Sequence, residues 1–581
     1  MELGFYAVIG IAVIVAVAAF SRRLGVAAPI ILVVVGVTLS YLPGVPSIEI
    51  PHEIVLDAVL PPILYAAAIR LPLADFRRDL APIAGLSVAL VILTAFVSGW
   101  LLYTLLPQLS LPGAIALGAI ISPPDAVAAT SIGRRLGLPP RLLTLLEGEG
   151  LVNDATALVL LRTATAAAAG LLATPFAGVL DFFYATIAGI AVGLAAGFLS
   201  VYVRSKLSDP LLDTALSIAV PFAAFMPAEA IGGSGVLAVV VAGLYTGYAS
   251  PKAFTAQARI TDRINWGTIQ FLLENAVFLV IGLEIRTLVE DVQADDELLG
   301  VWESVGIGLL ALAVLIIIRF AWAIPLVWGL RRRTERAEKR TLHELLLVSY
   351  YRNHPVETVH QRRRKDLAER RYGRMRADLE AMREQRIDWR GGVILGWSGM
   401  RGVVTLAAAQ SLPGAEDGFP YRPQLILIAF TVAVVSLIVQ GGTLPALIRL
   451  LKVEGADPDQ DRRQLAALLD DLSNAGLEVL DDPSLAAGTD EIIDPEVVER
   501  VRQSSFLRTE AAWERARLSA APVNERPHLL YRTLRLAVVD AERNKLMEER
   551  RQGRYPSRIF EEAEAMLDVE ETRLRPTRRG H

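Results

Sequence analysis

The sequence predicts an all-α polytopic membrane protein of about thirteen transmembrane helices, followed by a cytoplasmic, mostly helical C-terminal domain. Three observations predict it. Residues 1–330 are apolar runs with short polar breaks, each near the ~20 residues that a bilayer core about 30 Å thick demands of a helix. Hydrophobic residues make up 53% of the 581 and charged residues 21%, yet the charges gather in 331–390 and beyond 451 instead of mixing along the chain. Finally, basic residues fall in alternate connections between the runs.

In order, the runs lie near 3–20, 26–42, 53–70, 83–106, 111–131, 141–164, 179–203, 211–228, 234–250, 265–285, 301–330, 391–412 and 422–450. The first lacks a basic leader and a small-residue cleavage site, so it reads as a helix and not as a signal peptide. Alternate loops carry Arg22/Arg23, Arg70/Arg77/Arg78, Arg134/Arg135/Arg141, Arg204/Lys206, Lys252/Arg259/Arg263 and then the arginine-rich 331–390. The intervening loops hold almost no Lys or Arg, and two are acidic (Glu290, Asp291, Asp295–Glu297; Glu416, Asp417). This positive-inside pattern puts the N-terminus outside and the C-terminus in the cytoplasm, as an odd helix count requires. The expected division is 1–330 for helices one to eleven, 331–390 for a charged cytoplasmic loop, 391–450 for the last two helices and 451–581 for a regulatory or dimer-contact domain. With no cysteine, disulfides and thiolate metal sites are excluded.

Within this apolar frame, charges recur at one depth. At ~1.5 Å per residue, Asn153 and Asp154 of the sixth run lie roughly 18–20 Å from its cytoplasmic end, and Asp125 of the fifth lies about as deep from the other side. Glu274 of the tenth run and Arg401 of the twelfth lie about 14 and 15 Å deep. A lone charge at such depth costs at least ~2.5–3.5 kcal/mol, so charges from four runs imply mutual pairing or a shared wet cavity. Two of these runs also look broken: Pro123 and Pro124 remove backbone donors in mid-span, and "GWSGMRG" sets three glycines around Arg401. Free backbone at that depth is tolerated where it lines a cavity, and interrupted helices at matching places in two halves point to a transporter site. Runs five and twelve are seven apart, as expected if helices 1–6 and 8–13 form inverted repeats.

On the sixth helix Glu149 and Asn153 share a face, while Asp154 points about 140° away from Glu149. The natural partner of a buried Glu149 is Arg401, which keeps its proton. That pairing leaves Asp154 free, and a carboxylate in a partly wet cavity can hold a proton or a cation in turn. Glu147, about 9 Å deep, lines the cytoplasmic mouth. Glu274 reads equally as an accessory to the site or as a structural carboxylate.

The segments "GEGLVNDATALV", "SPPDAVA", "GGSGVLAVVVAGL", "ENAVFLVIGL" and "GMRGVVTLA" resemble, in order and spacing, the monovalent cation:proton antiporter-1 family, which includes bacterial NhaP-type antiporters and animal Na+/H+ exchangers. The resemblance covers about 1–450, and "VVDAERNKLMEERRQGRYPSRIFEEAEAML" is similar to tails of bacterial members. It implies that Asp154 is the main cation and proton carboxylate, supported by Asn153, and that Asp125 is the acidic residue of the crossed fifth helix, with Ser122 and the Pro124 carbonyl beside it. Na+ would then bind at Asp154 and Asp125. The family's glutamate–arginine pair falls on Glu149 and Arg401. Asn rather than Asp before Asp154 resembles the electroneutral branch, implying one Na+ per H+. The implied assembly is a homodimer in which a core domain moves against a dimerisation domain. Two departures bear on ion choice: Pro124 stands where many members have Thr, and Ala66 in "LPPILYAAAIRLP" stands where many bacterial members carry Glu.

Residues 331–390 hold 18 Lys/Arg against 10 Asp/Glu, suggesting long charged helices near lipid headgroups or a solvated hairpin, with His343, His354 and His360 as candidate pH sensors. The tail contains no nucleotide loop and no metal-ligand spacing. The expectation is therefore Na+/H+ exchange, with K+/H+ exchange as the alternative, in a bacterial plasma membrane. No cofactor and no nucleic-acid partner are expected, the ions being cargo. An intramembrane aspartyl protease using Asp125 and Asp154 is the remote rival, but it lacks a Gly-x-Gly-Asp signature and explains neither Arg401 nor the broken twelfth run. A channel is disfavoured by the absence of a repeated carbonyl filter.

Overall fold

The computed structural model describes residues 2–24, 27–42, 51, 53–171, 174–207, 209–294, 299–353, 359–384, 387–414, 419–453, 455, 458–478, 480, 495–503, 527–552 and 557–574. The acidic loop residues Asp295–Glu297, Glu416 and Asp417, the side chain of His360, and His354 lie outside the described residues. The described chain is helical throughout and contains no strand. It divides into two compact units, Met1–Glu454 and Gly455–His581.

In the first unit a helix occupies each apolar run: α1 (Glu2–Leu24), α2 (Ala28–Ser40), α3 (Ile54–Ala68), α4 (Leu80–Leu105), α5a (Leu111–Ile121) and α5b (Ala126–Arg135), α6 (Pro140–Ala168), α7 (Pro175–Arg204), α8 (Pro210–Ala230), α9 (Gly235–Ala253), α10 (Ala256–Ala294), α11 (Val301–Asn353), α12a (Trp389–Trp397) and α12b (Val403–Gln410), and α13 (Arg422–Leu451). Seven of the described helical segments are long and apolar enough to cross a membrane by length and composition, the α5 and α13 segments among them.

Local chemistry sets the ends. Ser110 caps α5a by accepting from Gly113 N, and Pro112 fits the first turn, where no N–H is needed. The helix stops at Ile121 because Pro123 and Pro124 cannot donate to the preceding turn. Asp125 restarts it as the cap of α5b, its carboxylate accepting from Val127 N at 2.8 Å. Asp388 caps α12a in the same manner through Gly391 N at 3.0 Å. Lys452, in the left-handed conformation, closes α13.

The helices pack in two groups. One contains α4, α5, α6, α11, α12 and α13; the other contains α1–α3 and α7–α10, and the two meet chiefly along α6 and α10. In the second group α2 and α10 approach until Gly36 and Gly282 touch: a Cβ on Gly36 would lie 2.4 Å from Leu279 O. Small residues substitute for hydrophobic driving force where the solvent is lipid.

Buried ion pairs fasten the arginine-rich ends of the helices. Arg141 grips Asp79 through two hydrogen bonds of 2.9 and 2.7 Å. Arg204 binds Asp213 at 2.8 and 2.9 Å and Asp262 at 2.5 Å, with its guanidinium 4.3 Å from the centre of the Phe254 ring. Each of these carboxylates is committed to an arginine.

α11 continues without interruption from the apolar stretch into the charged segment, where Val359–Glu384 packs back along it. In the second unit, α14 (Pro458–Glu478) is followed by a hairpin of α15 (Pro527–Gln552) and α16 (Ser557–Leu574). Arg535 binds Glu570 at 2.7 Å across that hairpin, and Arg543 binds Asp568 and Glu571 at 2.6 and 2.7 Å.

Candidate ion-binding site

The two helix breaks lie against each other. Asp125 N donates to Met400 O at 2.6 Å, and Arg401 Nε donates to Ile121 O at 3.0 Å. Gly402 is so close that a Cβ there would sit 1.9 Å from Asp125 Oδ2. Arg401 also donates to Gly399 O, and its own backbone N–H goes to Ser436 Oγ at 2.9 Å. The guanidinium thus satisfies carbonyls from both broken helices, groups that α-helix continuation would otherwise have satisfied.

α6 runs beside this crossing. Asn153, wholly buried, donates from its side-chain amide to Pro124 O at 2.7 Å and accepts from Asp154 N at 2.7 Å. Ser122 is buried and donates back to Gly118 O at 2.6 Å. Asp125 and Asp154 open onto a cavity of about 380 Å³ that Gly402 and Thr405 line from α12 and Glu274 lines from α10. The mouth holds Arg134 and Glu147, joined in an ion pair, and Arg70 just past α3. Gln270 Nε2 donates to Glu274 Oε1 at 2.7 Å. Ala66 is fully buried.

Among the described residues no ion pair reaches Asp125 or Asp154. Glu149, Asp79, Asp213 and Asp262, by contrast, are each held by a buried arginine. Glu274 faces the same cavity with the Gln270 amide on it, while Asp125 and Asp154, beside the crossed breaks and without fixed counter-charges, can take up and release small cations.

Residues 9–450 match the family model described as sodium/hydrogen exchanger, transmembrane. The chain belongs to that sodium/hydrogen exchanger family. It is an integral membrane transporter and not an enzyme, which removes the aspartyl protease reading. An uncharacterised Na+/H+ exchanger of Mycobacterium tuberculosis is 29% identical, over 98% of this chain and 96% of the relative. A sodium, potassium, lithium and rubidium/H+ antiporter of Bacillus pumilus is 29% identical, over 72% of this chain and 57% of the relative. The structure of the sodium/proton antiporter MjNhaP1 of Methanocaldococcus jannaschii shares the fold, with a TM-score of 0.56 and 16% identity, covering 78% of this chain and 100% of that one.

In this exchanger the expected Glu149–Arg401 pair needs correction. Glu149 is held by Arg319 of α11, through two hydrogen bonds of 2.5 and 2.9 Å, while Arg319 Nε donates to Leu395 O at 3.0 Å. Arg401 is occupied by the carbonyls of the breaks, and Arg319, from the helix packed on α12a, reaches the carboxylate instead. Arg319 was therefore the residue missed by sequence reasoning. Its signal was present: a single arginine in "LLALAVLIIIRFAWAIPLVW" must find a partner.

Proposed function

We propose that the chain exchanges Na+ for H+ one for one, by alternating access, at Asp154 and Asp125. The observation that carries this is that Asp125 and Asp154 face the cavity beside the crossed breaks and no ion pair among the described residues reaches them, whereas four other buried carboxylates are locked by arginine. Cargo of charge +1 then competes with the proton for the same pair, so loading one ejects the other. Asn153 orders the site through the Pro124 carbonyl and contributes no second titrating acid, which favours electroneutral exchange. Pro124 O and Ser122 are the neutral oxygens proposed beside the cation, and Glu147 is an accessory at the mouth. The ions are cargo, so no resident cofactor is invoked.

The group containing α5, α6 and α12 moves against the group containing α10 in this reading. The cavity mouth lies at the arginine-rich ends of α3 and α5, which the charge pattern assigns to the cytoplasm of a bacterial plasma membrane, with the N-terminus outside. A homodimer is the proposed assembly. K+/H+ exchange by the same steps is the second reading, favoured by the relative from Bacillus pumilus that is named for sodium, potassium, lithium and rubidium.

Proteoliposomes with an internal pH dye, pulsed with Na+, K+ or Li+, test this. A Na+ pulse should move protons at a rate independent of an imposed membrane potential, and Asp154→Asn should abolish the movement. A silent wild type, or an active Asp154→Asn, would falsify exchange at this site; a voltage-dependent rate would reject one-for-one stoichiometry.

A further inference from the structure

A row of three side chains borders the cavity and is not needed for the steps above. Arg70 Nη1 donates to Gln270 Oε1 at 3.1 Å, and Arg70 Nη2 donates to Arg263 O at 3.4 Å. With its oxygen engaged by Arg70, the Gln270 amide has one orientation, nitrogen toward Glu274. Arg70, Gln270 and Glu274 all face the cavity that Asp125 and Asp154 share. The row belongs to the helix group of α3 and α10, whereas Asp125 and Asp154 belong to the group of α5 and α6.

We propose that this row sets ion affinity in the cytoplasm-facing state alone, with Glu274 drawing cation and proton toward Asp125 and Asp154 and Arg70 opposing it. The inference rests on the alternating-access reading above. If the two groups slide past each other, the site leaves the field of Glu274 and Arg70 behind when it turns outward. A field that differs between two states changes affinity in one of them. Because cation and proton compete for the same carboxylates, the field multiplies both affinities by one factor and leaves the equilibrium ion ratio untouched. The other charged groups facing the row are Arg263 of α10, next to Arg70, and Arg134 of α5b and Glu147 of α6, which pair with each other at the mouth; α12 contributes Gly402, Val404 and Thr405, none of them charged.

The prediction has opposite signs for the two ends of the row. Full-length chain is placed in inside-out and right-side-out vesicles, and Na+-driven proton flux is started from each face at low ionic strength, where screening is weakest. At a cytoplasmic pH alkaline enough that protons no longer compete, Glu274→Gln should raise the cytoplasmic KM for Na+ threefold or more, and it should move the half-maximal cytoplasmic pH to more acid values. Arg70→Gln should lower that KM and move the pH toward alkaline. At the outer face both variants should stay within twofold of wild type, and Glu274→Asp should restore the cytoplasmic KM. Shifts of the same sign in both variants, equal shifts at both faces, no shift, or loss of flux at both faces would overturn the proposal. Wild type and Asp154→Asn in the same vesicles separate this failure from failure of the exchange reading itself.

Discussion

In Gly402→Ala, cation-driven proton movement is expected to fall to background. The new methyl would sit 1.9 Å from Asp125 Oδ2 and 2.5 Å from Asp125 Cγ, far inside van der Waals contact. Asp125 has little freedom to retreat. Its backbone N–H is bound to Met400 O, and its carboxylate caps α5b through Val127 N. The backbone of Gly402 has φ −134°, within reach of any residue, so space and not conformation is the constraint. The variant must therefore push the two breaks apart or swing the Asp125 carboxylate out of the cavity. Gly414→Ala is the control, since a Cβ there meets nothing within 4 Å. Flux in the proteoliposome assay, set beside the elution profile in detergent, separates a displaced site from a misfolded chain. Normal exchange by Gly402→Ala would show that the breaks are not in register as described.

Arg319→Leu is the second large effect, this time on stability. The pair is almost dry, with side-chain exposures of 4% for Arg319 and 2% for Glu149. Removing the arginine leaves a carboxylate without counter-charge or donors, a situation that costs roughly 3–5 kcal/mol. It also frees Leu395 O, so α6, α11 and α12a lose their common tie. Thermal unfolding in detergent should show a clear drop in midpoint for Arg319→Leu, whereas Glu149→Leu/Arg319→Leu should recover part of it because no lone charge remains. A single variant as stable as wild type would mean that Glu149 finds another cation, with Arg401 the nearest candidate on the sequence argument.

Much of the site was readable from local composition. Prolines 123 and 124 and the glycines around Arg401 carry their own explanation for a helix break, because the missing N–H groups and the flexible backbone act where they stand. Depth arithmetic likewise placed Asp125, Asn153, Asp154 and Glu274 at one level, and the structure brings them to or beside one cavity. The partner of Glu149 was not readable in that way. Arg319 and Arg401 lie at similar depths, and choosing between them requires knowing that α11 packs on α12a. Spacing along a helix says nothing about which helix lies next to it. The choice also turns on carbonyl accounting: once the breaks free Ile121 O and Gly399 O, Arg401 is already claimed. The π-turns at Ile54–Val59, Gly85–Leu90 and Leu437–Gly441 had no sequence signal either, since each inserts a residue into an otherwise ordinary apolar helix.

The unbroken course of α11 has a mechanical consequence. Within its apolar stretch this helix carries Arg319, bound to the Glu149 carboxylate of α6. Beyond Pro325 its charged end, from Arg331 to Asn353, has a length of roughly 35 Å. An arm of that length amplifies rotation: where the helix tilts as one body, about 10° at the core sweeps its tip through roughly 6 Å. If exchange tilts α11, its far end should move by a measurable distance, and a load applied there should be felt at Glu149.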